Sequence, residues 1–384
     1  MNAMLPRLKS IDTFRGLCMS WMILGHLSGW WIRAEDFQLA IFLNIILDSI
    51  GSSGFLFIAG LSTMLSHRKK LVRAKKTEQY SKKTIRNEYF LRALFMLIIA
   101  LIYNLSIAIT LTFISGENNF PWVWSWFILL TISISLFIAW PLLKIPKLLR
   151  LVIGIIIWIA NNYIFNFLVL YMGQANAFGV LFYILYNGYE LDPILSFFPF
   201  FLIGTVVGEV IYELLNRHNS ENRRKIFRNN FIIPSVVIGV GLVTFNVLFQ
   251  FPEFLMRWSL PWLLYTIGID LILFSGLFAL EIYGFMEKEK SYRFLYYYSF
   301  YSLTIYLAHN ILYFLFLKQL NPFNIWFFIA GAFIAIGLLL MAIYKKWGEK
   351  ASLKYHLSRL SIKLAMRIEN KRTLGENLSK QIDI

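Results

Sequence analysis

Among the ionisable residues that fall inside or at the edges of apolar stretches of the chain, the informative ones are Asp12, Arg15, His26, Asp48, Glu209, Asp270 and His309. An ionisable side chain in hydrocarbon is costly, so such residues line cavities or pair with one another. Arg15 and His26 are the informative pair, in the stretch SIDTFRGLCMSWMILGHLSGWW. Their spacing of 11 residues is three helical turns plus about 20°, which puts them on one face with Met19 and Met22 between them. At 1.5 Å per residue they lie roughly 16 Å apart along the axis. Arg15 then sits at one membrane edge and His26 past the midplane. A planar guanidinium that is always charged suits phosphate oxygens. A neutral imidazole suits removal of a proton from an attacking hydroxyl or amine.

A long, thin substrate with an anionic head and a reactive end fits this separation. Acyl-CoA has that form, with phosphates, a pantetheine arm and a thioester. Asp48 is expected about halfway into the second helix, near the depth of His26, where a carboxylate could orient the ring. His309, nine residues before Lys318, reaches a similar depth. Glu209 and Asp270 read as helix-pairing groups. Trp122, Trp124 and Trp126 read as interfacial belt residues. Cys18 lies about 80° round the helix from His26, which disfavours an acyl-cysteine. As the single cysteine it also excludes an internal disulfide. His67, His218 and His356 fall in polar segments without clustered carboxylates, and no metal site is expected.

The elements that must hold these residues are membrane helices. Hydrophobic residues make up 58% of the 384, and charged residues only 15%. Apolar stretches of spanning length cover 12–32, 38–66, 89–114, 121–143, 149–171, 193–215, 231–250, 257–283, 294–317 and 324–344. The first reads as a retained helix, since no small-residue cleavage site follows the short basic start. Threading about ten transmembrane helices with both termini cytoplasmic leaves only Arg33, Arg257 and Lys318, of 37 basic residues, on the outer side. The formal charge of +16 is thus a topology signal and not a nucleic-acid one; no base-recognition motif accompanies it. Residues 345–384 read as a basic amphipathic tail on the anionic inner leaflet. The outer segment 172–192 is aromatic and lacks Lys and Arg.

Residues Ser10 to His26 resemble the first helix of the transmembrane acyltransferase superfamily, which includes heparan-α-glucosaminide N-acetyltransferase-like proteins and acyltransferase family three. Asp12, the Arg15-Gly16 pair and His26 match that family's aspartate, Arg-Gly and histidine. GSSGFLFIAGLS resembles its second helix, with Gly60 in place and Ala59 where serine is commoner. YFLRALFML around Arg92 resembles the basic entry to its third helix. The helix ending at Pro141, FFPFFLIGTVVGE with Gly204 and Gly208, and SLTIYLAHN ending at His309 and Asn310 follow in the family's order.

The expectation is an all-α polytopic integral membrane bundle, with a transmembrane domain over 1–344. The resemblance implies a multi-pass cell-membrane acyltransferase that takes an acyl group, acetyl by default, from cytosolic acyl-CoA. The acceptor would be a glycan or glycolipid hydroxyl or amine at the outer face. His26 would be the general base, Asp48 and His309 its partners, and Arg15 and Arg92 the donor-binding residues. Membrane lipids surround it, and a homodimer is compatible with the sequence. The competing class is a proton-coupled transporter or lipid-binding channel relaying protons through His26 and His309. Such proteins carry repeated halves and broken paired helices, and neither is evident here.

Overall fold

The computed structural model describes residues 7–38, 48–76, 81–188, 190–217, 223–257, 259–286 and 293–382. In chain order its helices are α1 (Lys9–Trp31), α2 (Ser52–Lys76), α3 (Lys82–Ser115), α4 (Ile128–Leu142), α5 (Lys147–Leu168), a short α6 (Ala177–Tyr186) and α7 (Ile194–Arg217). There follow α8 (Arg223–Phe227), which passes through a π-helical turn into α9 (Ile233–Phe249), then α10 (Leu260–Ile282), α11 (Arg293–Phe300), α12 (Ser302–Ala308), α13 (Ile325–Trp347) and α14 (Leu353–Ile382). Among the described residues, six helical stretches are long and apolar enough to cross a membrane, while α4 and α6 are shorter apolar helices. The chain is an all-α multi-pass membrane protein. Large apolar side chains such as Ile102, Phe113, Val237 and Phe327 are exposed on its surface.

Small residues let the helices approach. A Cβ on Gly60 would stand 2.0 Å from the Phe201 carbonyl oxygen, and one on Gly204 would stand 2.0 Å from that of Phe57. α2 and α7 therefore touch backbone to backbone, as helices do in lipid where no hydrophobic drive pulls them together. Gly16 does the same for α1 against α11, its Cβ position being 2.1 Å from the Leu295 oxygen. The glycine of the Arg-Gly pair is thus required for packing.

Three expected spans change shape. The span expected over 38–66 does not begin there: 39–47 lie outside the described residues, and Asp48 to Gly51 form a turn before α2. Gly51, Ser52 and Ser53 favour an entry turn over a helix interior. α2 then runs on to Lys76 through a stretch expected to be a loop, because Leu, Arg and Lys are good helix formers. The span expected over 294–317 divides into α11, α12 and a 3-10 segment, His309–Phe314. His309 Nδ1 lies 2.5 Å from the Tyr306 carbonyl, the acceptor that the Asn310 amide would use in a continued α-helix. The aromatic segment 172–192 contains α6, which buries Phe182 and Tyr186. Trp124 and Trp126 donate their indole N–H groups to the Ile184 carbonyl, at 2.9 and 3.1 Å. These tryptophans, expected as belt residues, also pin α6.

One end of the bundle is basic. There the Lys9 and Ser10 amides donate to Glu281, each at 2.8 Å, and Lys70 pairs with Glu88 at 2.6 Å. Glu209, expected to pair helices, takes both Arg68 and the fully buried Arg150. Asp270 is buried on α10 and has no ion-pair partner among the described residues. α14 does not stand apart: it packs along α3. Its start is held by the Ser352 hydroxyl on the Phe300 carbonyl (3.3 Å) and by the Leu353 amide on Thr304 Oγ1 (3.2 Å).

Candidate active site

At the opposite end, the C-terminus of α1 is stapled to the segment after α12. Trp31 Nε1 donates to the Leu312 carbonyl at 2.8 Å, and the Leu320 amide to the Trp31 carbonyl at 2.8 Å. This brings His26 and His309 together, 283 residues apart in sequence, with His309 Nε2 3.4 Å from His26 Nδ1. Trp30 stacks on His309 at 5.6 Å and meets His26 edge-on at 4.9 Å. A carbonyl only accepts, so Nδ1 of His309 carries its proton. In a neutral ring Nε2 of His309 is then an acceptor facing His26. The matching neutral tautomer of His26 donates from Nδ1 and leaves Nε2 as a free acceptor.

His26 lines a cavity of about 400 Å³ together with Trp30, Asp48, Asp192, Arg257 and Tyr306. Asp48, expected as a partner of the imidazole, shares this cavity with His26 but pairs with Arg257. Its Oδ2 is 2.6 Å from Arg257 Nε, and Arg257 Nη2 is 2.7 Å from Asp192 Oδ1. The reason is the turn: with the helix starting at Ser52, Asp48 rides on a loop that faces the α9–α10 connection. Arg257 also donates to the Glu190 carbonyl. One guanidinium thereby ties three loops across the mouth of the cavity. Burial pushes the Asp192 carboxyl up to about 6 in spite of Arg257.

Arg15 lies in a second pocket, of about 150 Å³, toward the basic end, lined also by Ser62, Arg92, Tyr306 and Lys354. Arg15 donates to Ser62 Oγ at 2.6 Å and stands 3.6 Å from Asp12. Asp12 is itself bonded to Arg7 at 2.6 Å. Arg92 and Lys354 have no ion-pair partner among the described residues. Ile128 and Tyr306 line both cavities, so basic pocket and histidine cavity meet at those two side chains.

The structure thus brings His26 with His309 and Arg15 with Arg92, and places Asp48 on Arg257. Four residues at the site were not among the candidates read from the sequence. Arg257 and Asp192 were visible in sequence as one of three cations expected on the outer side and an acid flanking a span. Lys354 was hidden among tail lysines, and Tyr306 among many tyrosines. Only the return of α14 onto α3 singles out Lys354, and nothing local in sequence signals that.

Compared with known protein families, residues 7–251 match the one described as heparan-alpha-glucosaminide N-acetyltransferase, catalytic. The match takes in α1 through α9, with Arg15, His26, Asp48, Arg92 and Asp192, and ends before Arg257, His309 and Lys354. No curated protein matches the chain.

Proposed function

The chain belongs to the heparan-alpha-glucosaminide N-acetyltransferase catalytic family, and on that premise we propose that it carries an acetyl group from cytosolic acetyl-CoA to a glycan or glycolipid at the outer face. The observation that carries this is the meeting of two unlike cavities at Ile128 and Tyr306, one basic and one built round a histidine pair. Arg15, Arg92 and Lys354 would hold the CoA phosphates by charge-assisted hydrogen bonds. The pantetheine arm would pass Tyr306, and the thioester would stop at His26.

In this reading His26 Nε2 takes the proton of the acceptor amine or hydroxyl as its nitrogen or oxygen attacks the thioester carbonyl. The new bond to carbon forms, the carbon–sulfur bond breaks, and the departing thiolate takes the proton from His26. His309 fixes the tautomer. Arg257, held by Asp48 and Asp192, keeps the mouth of the cavity in shape. The reading threads ten spans (α1, α2, α3, α4, α5, α7, α8–α9, α10, α11–α12 and α13), with both termini and α14 on the basic, cytoplasmic side. The basic residues gathered at one end of the bundle support that orientation.

Donor binding tests it. Arg15→Gln and Lys354→Gln should each weaken CoA binding by roughly 10–100-fold, the worth of one hydrogen bond to a charged group. His26→Ala should bind CoA as the wild type does and lose transfer by about 10²-fold or more. Unchanged affinity in both cation variants would place the donor elsewhere.

A further inference from the structure

A third cavity, of about 600 Å³, opens on the outer side between α6 and the segment before α4. Its walls include Trp122, Phe182 and Tyr183, and its polar groups include Gln174, Asn187 and Glu190. Leu191 lines both this cavity and the one that holds His26. The groove and the cavity of the candidate base therefore adjoin at Leu191. Aromatic faces beside amide and carboxylate side chains suit a sugar ring, whose C–H face packs on the rings while its hydroxyls bond to the polar groups.

The sign of the charge is the informative feature. Among the described residues, Glu190 is the one charged side chain lining the groove, and it is exposed. No Lys or Arg occurs anywhere from 172 to 192. In the adjoining cavity Arg257 is already matched by Asp48 and Asp192, so it has no unmatched charge to offer an anion. The wider outer face repeats the pattern. Against Arg33, Arg257 and Lys318 stand Glu35, Asp36, Asp48, Glu117, Glu190, Asp192 and Glu253, and Arg33 is itself beside Glu35 at 3.7 Å. A cleft lined by one sign of charge raises the local concentration of the opposite sign and lowers that of its own.

We infer that this groove is the acceptor subsite and that it selects a glycoside without acidic groups, neutral or amine-bearing, over a sulfated or uronate-rich one. The inference rests on the acetyltransferase reading above. It deepens that reading by assigning the acceptor's charge class and the route by which it reaches His26.

The experiment uses the full-length protein in nanodiscs, with thiol release from acetyl-CoA as the readout. The acceptors are an alkyl glucosaminide and its sulfated counterpart. The neutral-backbone acceptor should have the higher kcat/KM, and added salt should narrow the gap by screening the sulfate. Glu190→Lys should lower the KM of the sulfated acceptor by about fivefold, the scale of one partly exposed charge pair. Trp122→Ala should raise KM for both. Equal or better use of the sulfated acceptor, or an acceptor ratio unmoved by Glu190→Lys, overturns the inference while leaving the acetyltransferase reading in place. Failure to bind CoA or to release thiol with either acceptor overturns both.

Discussion

Between the Tyr306 carbonyl and the cavity that His26 lines, two imidazoles pass one hydrogen-bond direction along. The carbonyl fixes the proton of His309 on Nδ1, His309 Nε2 receives the proton of His26 Nδ1, and His26 Nε2 is left to accept. His309 is on this account a positioning residue. His309→Ala should lower kcat by roughly 10–100-fold, as losing the partner of a functional histidine does around metals, with the KM for acetyl-CoA unchanged. The pH profile of kcat should also shift. His309→Gln, which can return an oxygen acceptor near the old Nε2, should restore part of the rate. A merely structural His309 would lose rate without moving the profile.

Asp192 gives a second test at this scale. Its folded-state pKa is raised to about 6 by burial, above the ordinary carboxylate value. The folded protein thus takes up a proton, between that ordinary range and pH 6, which the unfolded chain does not. Its contribution to stability is present at low pH and lost as pH rises through 6. Asp192→Asn should flatten the change in Tm between pH 4 and 6 that the wild type shows, as measured by thermal denaturation in detergent.

Glycines set how close the elements come. α2 and α7 cross at Gly60, where a methyl group would stand 2.0 Å from the Phe201 oxygen and so meet backbone. Gly60→Ala should destabilise by about 1–3 kcal/mol, the usual cost of overpacking, and lower the Tm by several degrees. Gly116, at the solvent end of α3 with nothing near its Cβ position, has no such neighbour to displace. These crossings were partly legible: Gly60, Gly204 and Gly208 stood out in apolar runs. The helices with uniform apolar composition, such as α3, α7 and α10, were legible as spans because length and hydropathy suffice for them. The turn at Asp48 was not, because a serine- and glycine-rich entry looks like part of the apolar run that follows it. The break at His309 was not, because it depends on a side chain taking a backbone acceptor. Arg15 and His26 could be paired from helical periodicity alone. His26 and His309 could be placed at similar depth but not in contact, since that contact is made by the stapling of Trp31 to Leu312 and Leu320.

Across the molecule, charge sorts by end: a basic face round Arg15, Arg92 and Lys354 and an acidic one round Asp48, Glu190 and Asp192, with Tyr306 lining the cavities at both ends. In the proposed function, catalysis is a transfer across the membrane, with donor and acceptor entering from opposite sides. Sidedness is the direct measurement. The protein would be reconstituted in sealed liposomes, with orientation read from an impermeant thiol label on single cysteines at positions 75 and 190 in a Cys18→Ser background. Acetyl-CoA would be supplied on the side where position 75 labels, and an impermeant acceptor on the side where position 190 labels. Acetylated acceptor is expected on the 190 side and free CoA on the 75 side, with product lowered by about 10²-fold or more in His26→Ala liposomes that still bind CoA. Product formed only when donor and acceptor share one side, or formed equally by His26→Ala, would contradict the proposed function.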